Sequence, residues 1–146
     1  MEFQQKTYRL PYTQRKQKWY LVDARDKIVG RLAAQLSLLA MGKTEDTYAP
    51  NVDPEIYLVI INADQVRFTG KKMDNKIYRR FSNYPGHMKE IKAKHLMEKK
   101  PEEILRLAIK RMLPKNKIGN RIIHNIKVYA GSEHPHAAQK PQPYEV

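Results

Sequence analysis
Between positions 67 and 87 the sequence sets cations beside rings: Arg67, Lys71, Lys72, Lys76, Tyr78, Arg79, Arg80, Phe81, Tyr84 and His87. Lys and Arg pair with phosphate oxygens, and an aromatic ring stacks on an unpaired base, so this mixture suits RNA with exposed bases. A second basic group, Lys110, Arg111, Lys115, Asn116, Lys117 and Arg121, surrounds Pro114. Cations at a helix end also offset the helix dipole, which accounts for two of these at most. Each ring has an equal claim to the hydrophobic core, so the cations carry the expectation.

Other constellations fall short of a site. Gly42-Lys43-Thr44 resembles the end of a phosphate-binding loop, but the first glycine of GxxxxGK would fall on Ser37, and the tripeptide follows a helical pattern instead of preceding one. Gly70-Lys71-Lys72 fails in the same way, with Gln65 where the glycine belongs. His134-Pro135-His136 offers two imidazoles with Glu133 as the nearby acid. Two ligands do not make a zinc site, so His134 and His136 are expected to contact RNA or support structure, and no metal is expected. His87, His95 and His124 are scattered. A catalytic triad is assembled by the fold and cannot be read from one sequence, but nothing positive points to an enzyme or to a cofactor.

Charge places these groups in a wider segment. The 146 residues carry 28 Lys and Arg against 15 Asp and Glu, a net charge of +13, with a 41% apolar share that still permits a core. Residues 1–66 hold 9 basic and 8 acidic side chains, residues 67–127 hold 18 and 5, and residues 128–146 hold 1 and 2. The whole excess therefore lies in the middle, which favours a polyanion as partner, because neutralising phosphates releases counterions. With no cysteine, disulfides and thiolate chemistry are excluded, and a cytosolic setting is the default expectation. No apolar run reaches the roughly 18 to 20 residues that span a bilayer, and residues 1–17 lack the apolar core of a secretory signal.

The elements that must position these residues follow from periodicity. Residues 18–23 form a β-prone run. Asp26 reads as the N-cap of an amphipathic helix with apolar Val29, Leu32, Ala33, Leu36, Leu39 and Ala40, ending before Gly42. Tyr57 to Ile61 is continuously apolar, as in a strand covered on both faces, and is the candidate central strand. Residues 66–69 are a shorter β-prone run, and residues 77–84 lead into the turn signal Pro85-Gly86. Pro101 suits a first helical position ahead of the stripe Ile104, Leu105, Ala108, Ile109 and Met112, and Pro114 stops that helix. A weaker helical turn over 118–123 and a strand over 126–129 complete the pattern, which favours a small α/β sheet with right-handed crossovers.

The same residues carry a family resemblance. Lys18-Trp19-Tyr20-Leu21-Val22-Asp23-Ala24, Gly30-Arg31-Leu32-Ala33, Val59-Ile60-Ile61-Asn62-Ala63 and Thr69-Gly70-Lys71-Lys72 occur in order. They are followed by Tyr84-Pro85-Gly86, Met112-Leu113-Pro114-Lys115-Asn116, Lys127-Val128-Tyr129-Ala130-Gly131 and His134-Pro135-His136-Ala137-Ala138-Gln139-Lys140-Pro141. Over nearly the whole chain this resembles the bacterial-type ribosomal large-subunit protein thirteen family. The resemblance implies a three-layer α/β/α domain around a mainly parallel four-stranded sheet, binding to large-subunit ribosomal RNA, an early entry into subunit assembly and no catalysis. Departures occur where Arg111 stands for a usual glycine, His87 for the second glycine after Tyr-Pro, Asn120 within a usual Gly-Arg pair, and Thr44-Glu45-Asp46 and Pro54-Glu55 in the loop over 44–55.

The expectations are therefore one α/β domain: an N-terminal arm over 1–17, a core over 18–131 and an extended C-terminal tail over 132–146. The polar, proline-bearing tail is expected to find order only against RNA or a neighbouring protein. The partners are large-subunit rRNA and adjoining large-subunit proteins, with no membrane, no small-molecule substrate and no homo-oligomer, in the ribosome of a bacterial cytoplasm or of an organelle encoding its own copy. The rivals are a free RNA-binding regulator acting off the ribosome and a small nucleotide-using α/β enzyme.

Overall fold
In the computed structural model, which describes Pro11 and residues 15–146, three β-prone runs and a short tail strand form a four-stranded parallel sheet. Strand β1 (Lys18–Asp23) leads to helix α1 (Val29–Ala40) and strand β2 (Ile56–Ile61). A short helix α2 (Lys72–Asn75), strands β3 (Ile77–Phe81) and β4 (Met88–Lys92), and helices α3 (Ala93–Lys99), α4 (Pro101–Met112) and α5 (Lys117–His124) follow. Strands β5 (Ile126–Val128) and β6 (Gln142–Pro143) close the chain. The sheet order is β5-β2-β1-β6, and β3 and β4 form a separate antiparallel hairpin. The expected N-terminal arm lies outside the described residues except for Pro11 and residues 15–17.

Chain direction explains the layers. The steps from β1 to β2 and from β2 to β5 run the same way across the sheet, so right-handed connections put their helices on one face. Even-numbered strand residues Val22, Ile56, Leu58, Ile60 and Ile126 face that side and join Leu32, Leu36, Ile104, Leu105, Ile109 and Ile122 in one core. Each such fully buried aliphatic chain contributes about 1.5–3 kcal/mol relative to exposure. The step from β5 to β6 reverses direction and crosses the other face, where Trp19 stacks on Tyr57 with centroids 4.4 Å apart. That third layer is thin, a segment holding one 3-10 turn (Ala137–Gln139).

Several expectations are corrected. Helix α1 starts at Val29, with Ile28 at the N-cap, and Asp26 takes a left-handed backbone (φ 58°). The orphan Val29 amide donates instead to the Arg67 carbonyl at 3.0 Å, across the isolated bridge that is all the 66–69 run forms. The tail is also partnered within the chain: Gln142 and Pro143 register with Tyr20 and Leu21, and the Tyr144 amide donates to the Leu21 carbonyl at 2.8 Å. Proline is admitted there because β6 is an edge strand. Gly42 has the left-handed φ (+70°) of a helix C′ residue, and a Cβ there would meet Pro54 Cβ at 2.8 Å. Among the described residues no helix is long and apolar enough to cross a membrane.

Candidate nucleic-acid interface
The first basic group rides on the hairpin. Tyr84-Pro85-Gly86-His87 makes its tip, with Gly86 at φ 77° and the His87 amide donating to the Tyr84 carbonyl at 3.1 Å, as a turn with Pro then Gly in the middle requires. Residues 79–90 are all exposed, so the hairpin projects from the core. Tyr84 is 65% exposed and packs edge-on to His87 with centroids 5.2 Å apart. These two rings and Arg80 are exposed, and Lys71 and Lys72 lie exposed beside α2.

Tyr78 is a correction. It is 6% exposed and belongs to the core, because strand alternation turns it inward opposite Ile91. It therefore anchors the hairpin and is not a stacking platform for RNA. Lys76 lies 5.4 Å from its ring centroid and Arg111 5.9 Å, so cations from both groups meet on this one ring. Burial raises the Tyr78 hydroxyl pKa above its ordinary value, against a smaller opposing effect of Arg111.

The second group lies at the α4–α5 corner. Asn116 caps α5, its Oδ1 accepting from the Gly119 amide at 2.8 Å, so its side chain is already engaged in structure. Gly119 is obligatory there, since a Cβ would fall 1.8 Å from the Pro114 carbonyl oxygen. Around this fixed turn Lys110, Arg111, Lys115, Lys117 and Arg121 are exposed. Arg67 stands apart, ion-paired with Asp26 at 2.5 Å near the start of α1. Arg79 is paired with Glu90 at 2.7 Å.

The histidines of the tail are on the opposite face of the sheet from the cations. His136 Nε2 lies 2.8 Å from the Tyr129 hydroxyl, and its ring centroid is 5.4 Å from that of Trp19. His134 Nδ1 accepts from the His136 amide at 3.2 Å. Both thus hold the returning segment against the sheet. At the carboxyl ends of the strands, Asn62 in a left-handed backbone donates its Nδ2 to Asp23 Oδ1 at 2.8 Å. That bond, then the Arg25 amide, holds the Asp23 carboxyl below the usual carboxylate value. The Asn62 amide also donates to the Gly131 carbonyl at 2.9 Å, so the motifs around Asp23, Asn62 and Gly131 are pins of the fold.

Further cations lie outside the two basic groups that the sequence singles out. Lys89 lies opposite Arg80 in the hairpin. A cleft of about 510 Å³ at the start of α4 is lined by Lys99, Lys100, Arg106 and Lys127 together with Glu102 and Glu103. All these cations fall within the basic segment 67–127, so the charge count pointed to them, but none stands beside an aromatic pair in the sequence.

Comparison with known proteins gives a consistent result. A family model described as Ribosomal protein L13 matches residues 17–135. The chain is 50% identical over 141 residues to the large ribosomal subunit protein uL13 of Aquifex aeolicus, covering 97% of this chain and 98% of that protein. Proteins of the same name in Pseudothermotoga lettingae and Thermotoga maritima are 52% and 47% identical, covering 88% and 97% of this chain and 87% and 95% of their own lengths.

Proposed function
Because the chain belongs to the ribosomal protein L13 family, we propose that it is a structural component of the large ribosomal subunit, located in the ribosome, and that it binds large-subunit rRNA. The observation that carries this reading is the gathering of exposed cations on the hairpin and the α4–α5 corner, joined through Lys76 and Arg111 at the Tyr78 ring. Lys71, Lys72, Lys76, Arg80, Lys110, Arg111, Lys115, Lys117 and Arg121 neutralise phosphates of one folded RNA, with Tyr84 and His87 as the rings available for unpaired bases. Arg67 and Arg79 contribute less, since each already has an acidic partner. His134, His136 and Asn116 serve mainly by holding the backbone. The role is non-catalytic: an early-joining protein lets the RNA fold against a fixed array of charge, and neighbouring large-subunit proteins complete its surroundings.

The test is sedimentation of cell lysate on a density gradient, repeated after a high-salt wash. About one copy per large subunit, resisting salt, is the expected result. Recovery in the soluble top fractions would instead favour a regulator acting off the ribosome.

A further inference from the structure
The hairpin register sets two cations against each other. Arg80 lies directly opposite Lys89, and among the described residues neither has an ion pair. Like charges at such a position repel and weaken the hairpin. On the alternate side chains the arrangement is the reverse: Arg79 closes on Glu90 at 2.7 Å, and Phe81 registers with Met88. One hairpin face thus pairs its arginine with a glutamate and carries Lys92 opposite Ile77 at its base, whereas the other sets two unpaired cations directly opposite each other. Along the cationic face the order runs outward from the anchored Tyr78 and Ile91, through Arg80 and Lys89, to Ser82 and His87, where the Ser82 hydroxyl donates to the His87 carbonyl at 3.1 Å.

We infer that Arg80 and Lys89 form a two-point clamp for a single RNA phosphate, the Arg fork and the Lys ammonium taking its two non-bridging oxygens. The clamp rests on the rRNA-binding reading above and sharpens it: sequence adjacency groups Arg80 with Arg79, whereas the register groups it with Lys89. Directly opposite side chains in an antiparallel pair have Cβ atoms about 4.5–5.5 Å apart, a span one phosphate bridges. A bound anion converts their repulsion into two charge-assisted hydrogen bonds. Beyond the pair the face ends at the tip with the exposed His87 ring.

The experiment measures affinity of the full chain for a large-subunit rRNA transcript against salt, with R80Q, K89Q and the double variant. One shared phosphate predicts that the double variant lowers the log–log salt slope by about 0.7–0.9. Each single variant should lose most of that amount, because either cation alone holds the phosphate poorly. K43Q, on the loop after α1, should change the slope less than either. Thermal unfolding of the free single variants should be unchanged or slightly higher, since a repulsion is relieved. An unchanged slope in the double variant overturns the clamp, and so does a loss of two phosphates in two equal steps. An unchanged slope on naked RNA with weakened incorporation into subunits also overturns it, pointing to an acidic protein neighbour. If the unaltered protein shows no salt-dependent RNA binding, the rRNA reading itself fails, and the clamp falls with it.

Discussion
The hairpin and the α4–α5 corner both present cations, but the backbone beneath them is held in different ways. The corner is built from local devices: Asn116 caps α5, Gly119 admits the Pro114 carbonyl, and Leu113 is buried beneath the turn. The hairpin has its own ladder but projects, held to the core chiefly by Tyr78 with the half-buried Ile91. Charge at the corner is therefore fixed by its immediate sequence, whereas charge on the hairpin depends on the packing of Tyr78 and Ile91 against the core. A rigid corner and a tethered arm suit different parts of one RNA fold: the first sets position and the second reaches outward.

The largest expected effect breaks the corner. Gly119→Ala should destabilise the protein by about 3 kcal/mol, because the clash is with backbone and cannot be relieved by a rotamer change. Denaturant unfolding checks this, and a loss below about 0.5 kcal/mol would mean that the turn relaxes freely.

Breaking the arm should cost a similar amount overall and act more locally. Tyr78→Ala removes a buried ring at about 3 kcal/mol, and amide exchange should rise across 77–92 while α5 stays protected. Equal exchange in both regions would show that the two are one cooperative unit and would erase the contrast. Asn116→Ala should cost about 1 kcal/mol and fray only the start of α5, as seen by exchange of the Gly119 amide.

The smallest effect separates the regions by pH. The Tyr78 pKa is raised in the folded protein, so its stabilising contribution is complete below the ordinary value of 10.0 and is lost as pH rises through the folded value. Tyr78→Phe should therefore unfold less steeply above pH 10 than the unaltered chain, with no difference near neutrality. Parallel alkaline profiles for the two proteins would exclude the hydroxyl from that decline.

Where apolar period is strong, the fold was legible: Leu32, Leu36, Ile104, Leu105 and Ile109 mark α1 and α4, and Leu58 to Ile60 mark an interior strand. The strands that are not legible lack that signal. Strand β4 reads Met-Lys-Glu-Ile-Lys, with four of its five residues exposed, and β6 is Gln-Pro, so neither shows a buried face. Their places are fixed by a turn and by a long crossover, which no short window contains. The candidate site was legible as charge, because electrostatic excess adds along the chain whatever the fold. Its sorting into available and engaged groups was not, since Tyr78, Asn116 and Arg79 differ only in what faces them across the structure.

The return of the chain end to the first strand bears on how a copy folds. Lys27 Nζ donates to the Val146 carbonyl at 2.6 Å across 119 positions of sequence, and β6 pairs with Tyr20 and Leu21 of β1 in the same closure. Contacts of such separation carry a large loop-closure cost, so they are expected to form after the local helices. Until then β1 offers an open row of amides and carbonyls, a template on which a second chain can pair. An incompletely folded copy therefore carries a pairing hazard at this edge until β6 has docked.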